Sequence, residues 1–220
     1  DNSGNVFVTG FTTSPAASFS LLNPGGGTYF DNTLGGTSDA FMLKFDNAGT
    51  RLWATYYGGA EDDQGMSLAT DASGNLFVAG YTTSTAFPTL TAGTYFDNTL
   101  GGTSDAFILK FDNAGTRLWA TYYGGGGEDI AYSLVSDPSD NVFVTGYTTS
   151  PAATFPLLNA GTFFDNTLGG GYDLFILKFS NTGTRLWATY YGGANADLLG
   201  EYDHLAVDGC GNLYLSLEVE

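Results

Sequence analysis

A near-identical internal repeat constrains the fold of this chain more than any other feature. Residues 28–59 read TYFDNTLGGTSDAFMLKFDNAGTRLWATYYGG, and residues 94–125 repeat them with one change, Met42 to Ile108. A third copy occupies 163–193, and a shorter block of the type GNVFVTGFTTS comes before each copy. The period is 66 to 71 residues. Such a period indicates one supersecondary unit used several times, with each unit burying its apolar faces against its neighbours.

Each unit contains four stretches with the composition of β-strands, separated by turns. The turn sequences Asp71–Asn75 and Asp112–Gly115 supply the aspartate and the glycine that tight turns require. The strands are apolar on both faces, which is typical of sheets covered on both sides. In the second unit the predicted strands are Met66–Thr70, Leu76–Thr82, Ala106–Phe111 and Arg117–Tyr123, and strand one of the later units is placed at Tyr132–Ser136 and His204–Val207.

The predicted fold class is all-β, with four-stranded antiparallel blades of the β-propeller type in about three repeats. A β-sandwich is the weaker alternative, since it does not predict the period, and a β-helix would need shorter coils. Thirteen strands make about three and a quarter blades, whereas propellers have at least about four. We therefore expect a larger or assembled propeller. The units of this single repeat region are placed at 1–59, 60–125 and 126–193, with a partial unit at 194–220.

Charge and composition exclude several classes of partner. The formal net charge is −17, from 23 acidic and 6 basic residues. Nucleic acid is excluded because phosphate contacts need clustered Lys and Arg. No apolar run is long enough to cross a membrane, so membrane insertion is not expected. We expect the basic residues to pair with carboxylates across the hairpin between strands three and four; they are Lys44, Arg51, Lys110, Arg117, Lys178 and Arg185.

The motifs GN-[VL]-F-V-x-G-[FY]-TTS, GG-x-x-D-[AL]-F-x-LKF and G-x-R-LWATYYGG resemble the bacterial SBBP repeat, a family named for seven-bladed β-propellers. The resemblance covers nearly the whole chain. It implies a secreted or surface-displayed bacterial protein, and it supplies no catalytic residues. The connection that contains FDNTLGG makes these units longer than the usual repeat of that family.

The long connection between strands two and three is the predicted functional surface, because connections of 20 to 25 residues exceed what a hairpin needs. Each FDNTLGG-x-x-D stretch offers hard oxygen ligands, so a calcium site is one interpretation and a metal-free Asx turn is the other. The candidate ligands are Asp31, Asp39, Asp97, Asp105, Asp165 and Asp173. The aromatic residues of the same connections are candidates for stacking on sugars: Tyr29, Phe30, Tyr95, Phe96, Phe163 and Phe164.

Catalysis is not expected. Catalytic sites bring different residues to one place, whereas these units are near-copies. The carboxylates at 61–63 and 128–129 leave a glycan hydrolase as a minor alternative, and His204 with Cys210 is a weak candidate for a nucleophilic pair. No cofactor is expected, unless the FDNTLGG stretches bind calcium.

The predicted function is an extracellular, non-enzymatic binding or adhesion module of a surface or secreted protein. Its partner would be a protein or carbohydrate at the cell surface. The alternative is a structural subunit of a surface layer or filament, in which copies of the chain associate through open blade edges.

Overall fold

A computed structural model describes residues 1–197 and 205–216. Within these residues the secondary structure consists of thirteen β-strands, and all pairings in the sheets are antiparallel. The predicted all-β fold with four-stranded units is therefore confirmed. No helix in these residues is long and apolar enough to span a membrane.

The second and third units are complete four-stranded sheets, whereas the first sheet has three strands and the last has two. The first sheet contains β1 (Val6–Thr12), β2 (Asp39–Phe45) and β3 (Arg51–Tyr57). The second contains β4 (Asp63–Thr70), β5 (Leu76–Thr82), β6 (Asp105–Phe111) and β7 (Arg117–Tyr123). The third contains β8 (Asp129–Ser136), β9 (Val142–Thr148), β10 (Asp173–Phe179) and β11 (Arg185–Tyr191), and the last contains β12 (Leu205–Val207) and β13 (Leu213–Leu215).

Strand one of each complete unit is longer than the sequence predicts. The prediction begins this strand at Met66, but β4 begins at Asp63. The residues Asp63 and Gln64 carry no apolar pattern, and they become strand because they pair with Thr82 and Tyr81 of β5. His204, the predicted start of strand one in the last unit, lies outside the described residues.

The turns form as their chemistry predicts. Asp71 Oδ1 accepts hydrogen bonds from the backbone N–H groups of Ser73 and Asn75, at 3.0 and 2.8 Å. Gly74 has φ +76°, which a residue with a Cβ rarely adopts. Asp112 makes the same pair of bonds in the turn between β6 and β7.

The sheets stack face to face, and their inner strands lie side by side. β4 packs against both β1 and β8, and β8 packs against β12. One apolar cluster fills the space between the first and second sheets, and another fills the space between the second and third. In β6, Phe107 and Leu109 belong to the first cluster while Ala106 and Ile108 belong to the second. Both faces of the strand are therefore buried, as its composition predicts.

Each long connection runs back along the outer edge of its own sheet. The backbones of Leu22 and Ala54 exchange two hydrogen bonds of 3.0 and 2.9 Å, and Leu90 with Ala120 and Leu158 with Ala188 repeat the pairing. The N–H of Tyr56 donates to the carbonyl of Asp31 further along the same edge, at 3.1 Å. The connection thus occupies the edge that strand four would otherwise expose to other chains.

Candidate functional site

The junction between neighbouring units is built from aromatic side chains contributed by both. Trp53 stacks on Phe111 of the second unit, with ring centroids 6.3 Å apart, and Trp119 stacks on Phe179 of the third unit at 6.1 Å. Tyr57 also packs against Phe111, at 5.8 Å. The two junctions are therefore copies of each other, as the repeat requires.

Polar contacts join the same units. The Lys44 ammonium donates to the Asn113 carbonyl at 2.8 Å and to the Asn113 side chain, and Lys110 donates to the Asn181 side chain. The indole N–H of Trp119 donates to the Asn181 carbonyl at 3.3 Å. The turn between strands three and four of one unit thus supplies hydrogen-bond acceptors for the lysine of the preceding unit.

The basic residues do not pair across the hairpin between strands three and four, so that prediction is wrong. Lys110 pairs with Asp71 at 2.9 Å, and Lys178 pairs with Asp137 at 2.8 Å, in the turn between strands one and two. The arginines bind carbonyl oxygens of the long connections: Arg117 donates to Pro88 at 2.9 Å. In the second and third sheets the lysine of strand three lies beside the turn that joins strands one and two, and proximity in the sequence gives no sign of this contact.

The third unit presents the face that the first two units bury. Trp187 is partly exposed and Tyr191 is 47% exposed, whereas Tyr57 and Tyr123 at the corresponding position are fully buried. A pocket of about 240 Å³ opens here. Its lining includes Leu158, Phe163, Phe164, Ile176, Trp187 and Leu213.

A second, polar pocket of about 340 Å³ lies where the turns between strands one and two of successive units meet. Its lining includes Asp71, Asp137, Asp140 and Asp208. The turns also contact one another, because the Ala72 N–H donates to Asp140 Oδ1 at 2.8 Å. These aspartates are turn residues in the sequence, and only the stacking of the units brings them around one pocket.

The candidate calcium ligands of one connection bind the backbone of that connection. Asp31 Oδ1 accepts the Thr33 N–H at 2.8 Å, and Asp39 Oδ2 accepts the Gly35 N–H at 3.0 Å. The second connection repeats the pattern at Asp97 and Asp105 and the third at Asp165 and Asp173. Within residues 1–197 and 205–216, no group of three or more His, Cys, Asp or Glu side chains is placed to hold a metal ion.

Calcium binding by these connections stays a prediction with a direct test. Replacing Asp31, Asp97 and Asp165 by Asn keeps the side-chain oxygen and removes three charges. If calcium binds, the metal raises the melting temperature of the parent protein by several degrees and a chelator reverses the rise. The triple variant then responds less. If neither calcium nor the chelator changes the melting temperature of either protein, calcium does not bind to these connections.

The aromatic candidates for ligand stacking occupy different environments. Tyr29 packs on Tyr57 at 4.9 Å and on Phe111 at 5.7 Å, inside the first junction, and Tyr95 repeats these contacts in the second. Phe96 is exposed, and Phe163 is exposed beside the third-unit face. Phe30 and Phe164 are partly buried.

Buried carboxyl groups from successive units meet at each junction. A Cβ built on Gly124 would lie 2.7 Å from both Asp105 Oδ1 and Asp129 Oδ2, so the two carboxyl groups converge on a position that only glycine fits. Both aspartates are fully buried, and Asp105 Oδ1 has no hydrogen-bond donor. Asp39 and Asp63 converge on Gly58 in the same way.

Burial, with smaller contributions from the neighbouring charges of Asp129 and Asp97, raises the pKa of Asp105 to about 7, and the hydrogen bond from the Gly101 N–H opposes this rise. A carboxyl group whose pKa is higher in the folded state stabilises the fold when it is protonated. That contribution is complete below about pH 4 and is lost as the pH rises through about 7.

We therefore expect Asp105→Asn to raise the free energy of unfolding at pH 8 by about 1–2 kcal/mol and to flatten its decline between pH 4 and 8. The asparagine keeps an acceptor for Gly101 and offers Asp129 an N–H. Urea denaturation across this pH range measures the effect. Glu61→Gln removes a charge from an exposed side chain and is the control; an equal effect of this control would contradict the prediction.

The described members of the remaining catalytic candidates lie in different environments. Asp63 and Asp129, members of the two acidic runs, are fully buried. Cys210 is an exposed free thiol in the last turn.

Comparison with known proteins identifies the class of the repeat. The family model of the SBBP beta-propeller repeat matches residues 52–88 and 118–151. These two segments therefore match the SBBP beta-propeller repeat, as the motifs predict. Both matches run from strand four of one unit to the start of the next long connection, and they stop before the FDNTLGG stretch.

Two curated proteins are similar to this chain. One is an uncharacterized WD repeat-containing protein of Acanthamoeba polyphaga mimivirus, 26% identical over 178 residues, with 71% of this chain and 13% of that protein covered. The other is the regulatory protein FlaEY of Caulobacter vibrioides, 28% identical over 166 residues, with 74% of this chain and 16% of that protein covered. The chain thus spans less than a fifth of the length of either relative. Repeat-propeller proteins are usually non-enzymatic, and their fold suits contacts with other proteins.

Proposed function

We propose that this chain is a non-enzymatic binding module that holds a protein partner at the polar pocket where the turns of successive units meet. The observation that carries the proposal is the convergence of Asp71, Asp137, Asp140 and Asp208 around about 340 Å³ of open space. Lys110 and Lys178 neutralise Asp71 and Asp137.

The pocket attracts cationic groups. Among the described residues no lysine or arginine pairs with Asp140 or Asp208, and the whole chain carries a net charge of −17. A negative field of this kind steers a basic partner and raises its association rate. The chemistry therefore favours a lysine- or arginine-bearing segment of another protein over a neutral carbohydrate.

The test is a titration of a fluorescent lysine-rich peptide, followed by anisotropy, against the wild type and Asp140→Asn. Asn tolerates the φ of +61° at this position and keeps the oxygen that accepts the Ala72 N–H. We expect the variant to bind several-fold more weakly and added salt to weaken the wild type. Glu61→Gln, at the opposite end of β4, is the matched charge control, and equal losses in both variants would overturn the assignment of the pocket.

We also propose that the protein is located outside the cell or on the cell surface. Its support is the resemblance of the repeats to a family of secreted and surface proteins, together with an acidic surface that resists nonspecific association. Labelling of the protein on intact cells of its source by an impermeant reagent tests the location. Labelling only after lysis would contradict it.

A further inference from the structure

An amine, a carboxylate and a carboxamide meet inside the junction between the second and third sheets. The Lys110 ammonium donates to Asp71 Oδ2 at 2.9 Å and to the side-chain oxygen of Asn181. The carboxamide N–H of Asn181 donates to the same Asp71 Oδ2 at 3.3 Å. Each of the three groups is therefore within hydrogen-bond distance of the other two. We call these side chains the junction triad.

The stacking of two sheets assembles the junction triad. Lys110 lies in β6, and Asp71 lies in the turn between β4 and β5 of the same sheet. Asn181 lies in the turn between β10 and β11 of the next sheet, 71 positions after Lys110. The indole N–H of Trp119 donates to the backbone carbonyl of Asn181 at 3.3 Å. This bond fixes the turn that carries the carboxamide.

The junction triad is also shielded from water. The side chains of Lys110 and Asp71 are 2% and 1% exposed. The ring of Phe77, which is fully buried, lies with its centroid 4.6 Å from the Lys110 ammonium. Groups held in contact in this way react as if they were at a very high concentration, and exclusion of water suppresses competing hydrolysis.

We propose that the junction triad forms an isopeptide bond between Lys110 and Asn181. Asp71 Oδ2 takes a proton from the Lys110 ammonium, with which it already shares a hydrogen bond. The neutral amine then attacks Cγ of Asn181. A bond forms between Lys110 Nζ and Cγ, the bond between Cγ and Nδ2 breaks, and the electron pair of the broken bond leaves with the nitrogen as ammonia.

The protons of this reaction are all accounted for. The lysine nitrogen gives up two protons when it changes from an ammonium to an amide N–H. One of them stays on Asp71, and the other goes to the departing nitrogen, which Asp71 reaches through its hydrogen bond with Nδ2 of Asn181. The reaction is balanced without an oxidant or any further reactant. The ion pair between Lys110 and Asp71 is the state before the reaction.

The bond joins β6 of the second sheet to the β10–β11 turn of the third sheet. The two units then cannot separate at this junction unless a covalent bond breaks. The reaction takes place among buried side chains, so it does not depend on the basic partner proposed for the polar pocket.

Tryptic mapping of the purified 220-residue chain tests the proposal. Trypsin does not cleave after an acylated lysine, so we expect residues 52–117 in one piece, joined to residues 179–185. The joined species should weigh about 17 Da less than its two parts, the mass of one ammonia. Fragmentation should place the bond between Lys110 and Asn181. Recovery of 179–185 only as a separate peptide, or loss of ammonia without joining, overturns the proposal.

Variants of the triad test the role of each group. Lys110→Arg keeps a cation beside Asp71, but the guanidinium stays protonated and cannot attack, so no joined species should form. Asp71→Asn removes the proton acceptor and should lower the yield of the joined species at least about tenfold. Circular dichroism shows whether each variant is folded.

The same two substitutions at the same repeat positions of the third unit are the matched controls. Lys178→Arg and Asp137→Asn change the pair that corresponds to Lys110 and Asp71, and they leave the junction triad intact. The joined species should form in both controls at the yield of the wild type. An equal loss in the controls, or an undiminished yield in a folded Asp71→Asn protein, contradicts the assignment of the triad.

Discussion

Trp119→Ala is expected to lower the free energy of unfolding by about 3–5 kcal/mol. The indole is 3% exposed, stacks on Phe179 at 6.1 Å and donates to the Asn181 carbonyl. Its removal leaves a cavity inside the junction between the second and third units and also leaves the carbonyl without that donor. Urea denaturation followed by circular dichroism measures the loss.

Trp187→Ala is the matched control, because it changes the same residue at the same position of the repeat. Trp187 is partly exposed, so we expect less than about half of the loss at Trp119. Both variants are compared at the same protein concentration, so that any association between copies affects them equally. If both variants lost the same free energy of unfolding, burial in the junction would not explain the contribution of Trp119.

Lys110→Met is the second change with a large expected effect, a loss of about 3–5 kcal/mol. The side chains of Lys110 and Asp71 are 2% and 1% exposed, and they pair at 2.9 Å. Methionine preserves the apolar stem but leaves the Asp71 carboxylate buried without its cation. An uncompensated buried charge is more costly than the intact pair is stabilising.

Lys178→Met tests the part played by burial. Lys178 pairs with Asp137 at 2.8 Å, but its side chain is 18% exposed, so water can solvate the charge that remains. We expect this variant to lose about 1–2 kcal/mol. In the double variant Lys110→Met/Asp71→Asn the loss should be smaller than in Lys110→Met alone, since no charge is left unpaired. A double variant no more stable than the single one would contradict this account.

Strands and turns follow from the sequence because their causes are local. Residues 106–111 are apolar on both faces of the strand, which predicts burial on both sides. In agreement, β6 contributes Phe107 to one cluster and Ile108 to the other. Asp71 and Gly74 specify their turn through one side-chain acceptor and one positive φ. The repeat then implies the same structure in each unit.

The contacts between units could not be predicted in this way. The sequence associates Asp105 with Asp97, eight residues earlier in one loop, whereas the fold packs its carboxyl group against Asp129 of the next unit. Likewise, Lys110 finds its carboxylate 39 positions away, in the turn after β4. Spacing along the chain cannot show which side chains meet when one sheet lies on another.

The sequence by itself determined the all-β fold, the four strands of each unit and the chemistry of the turns. Only the tertiary structure decided that the long connection protects the edge of strand four, that turn aspartates surround a common pocket, and that Trp119 is buried while Trp187 is partly exposed. The physical reason is that residues close in the chain determine strands and turns, whereas burial depends on what stacks against each face. Identical sequence segments therefore acquire different environments.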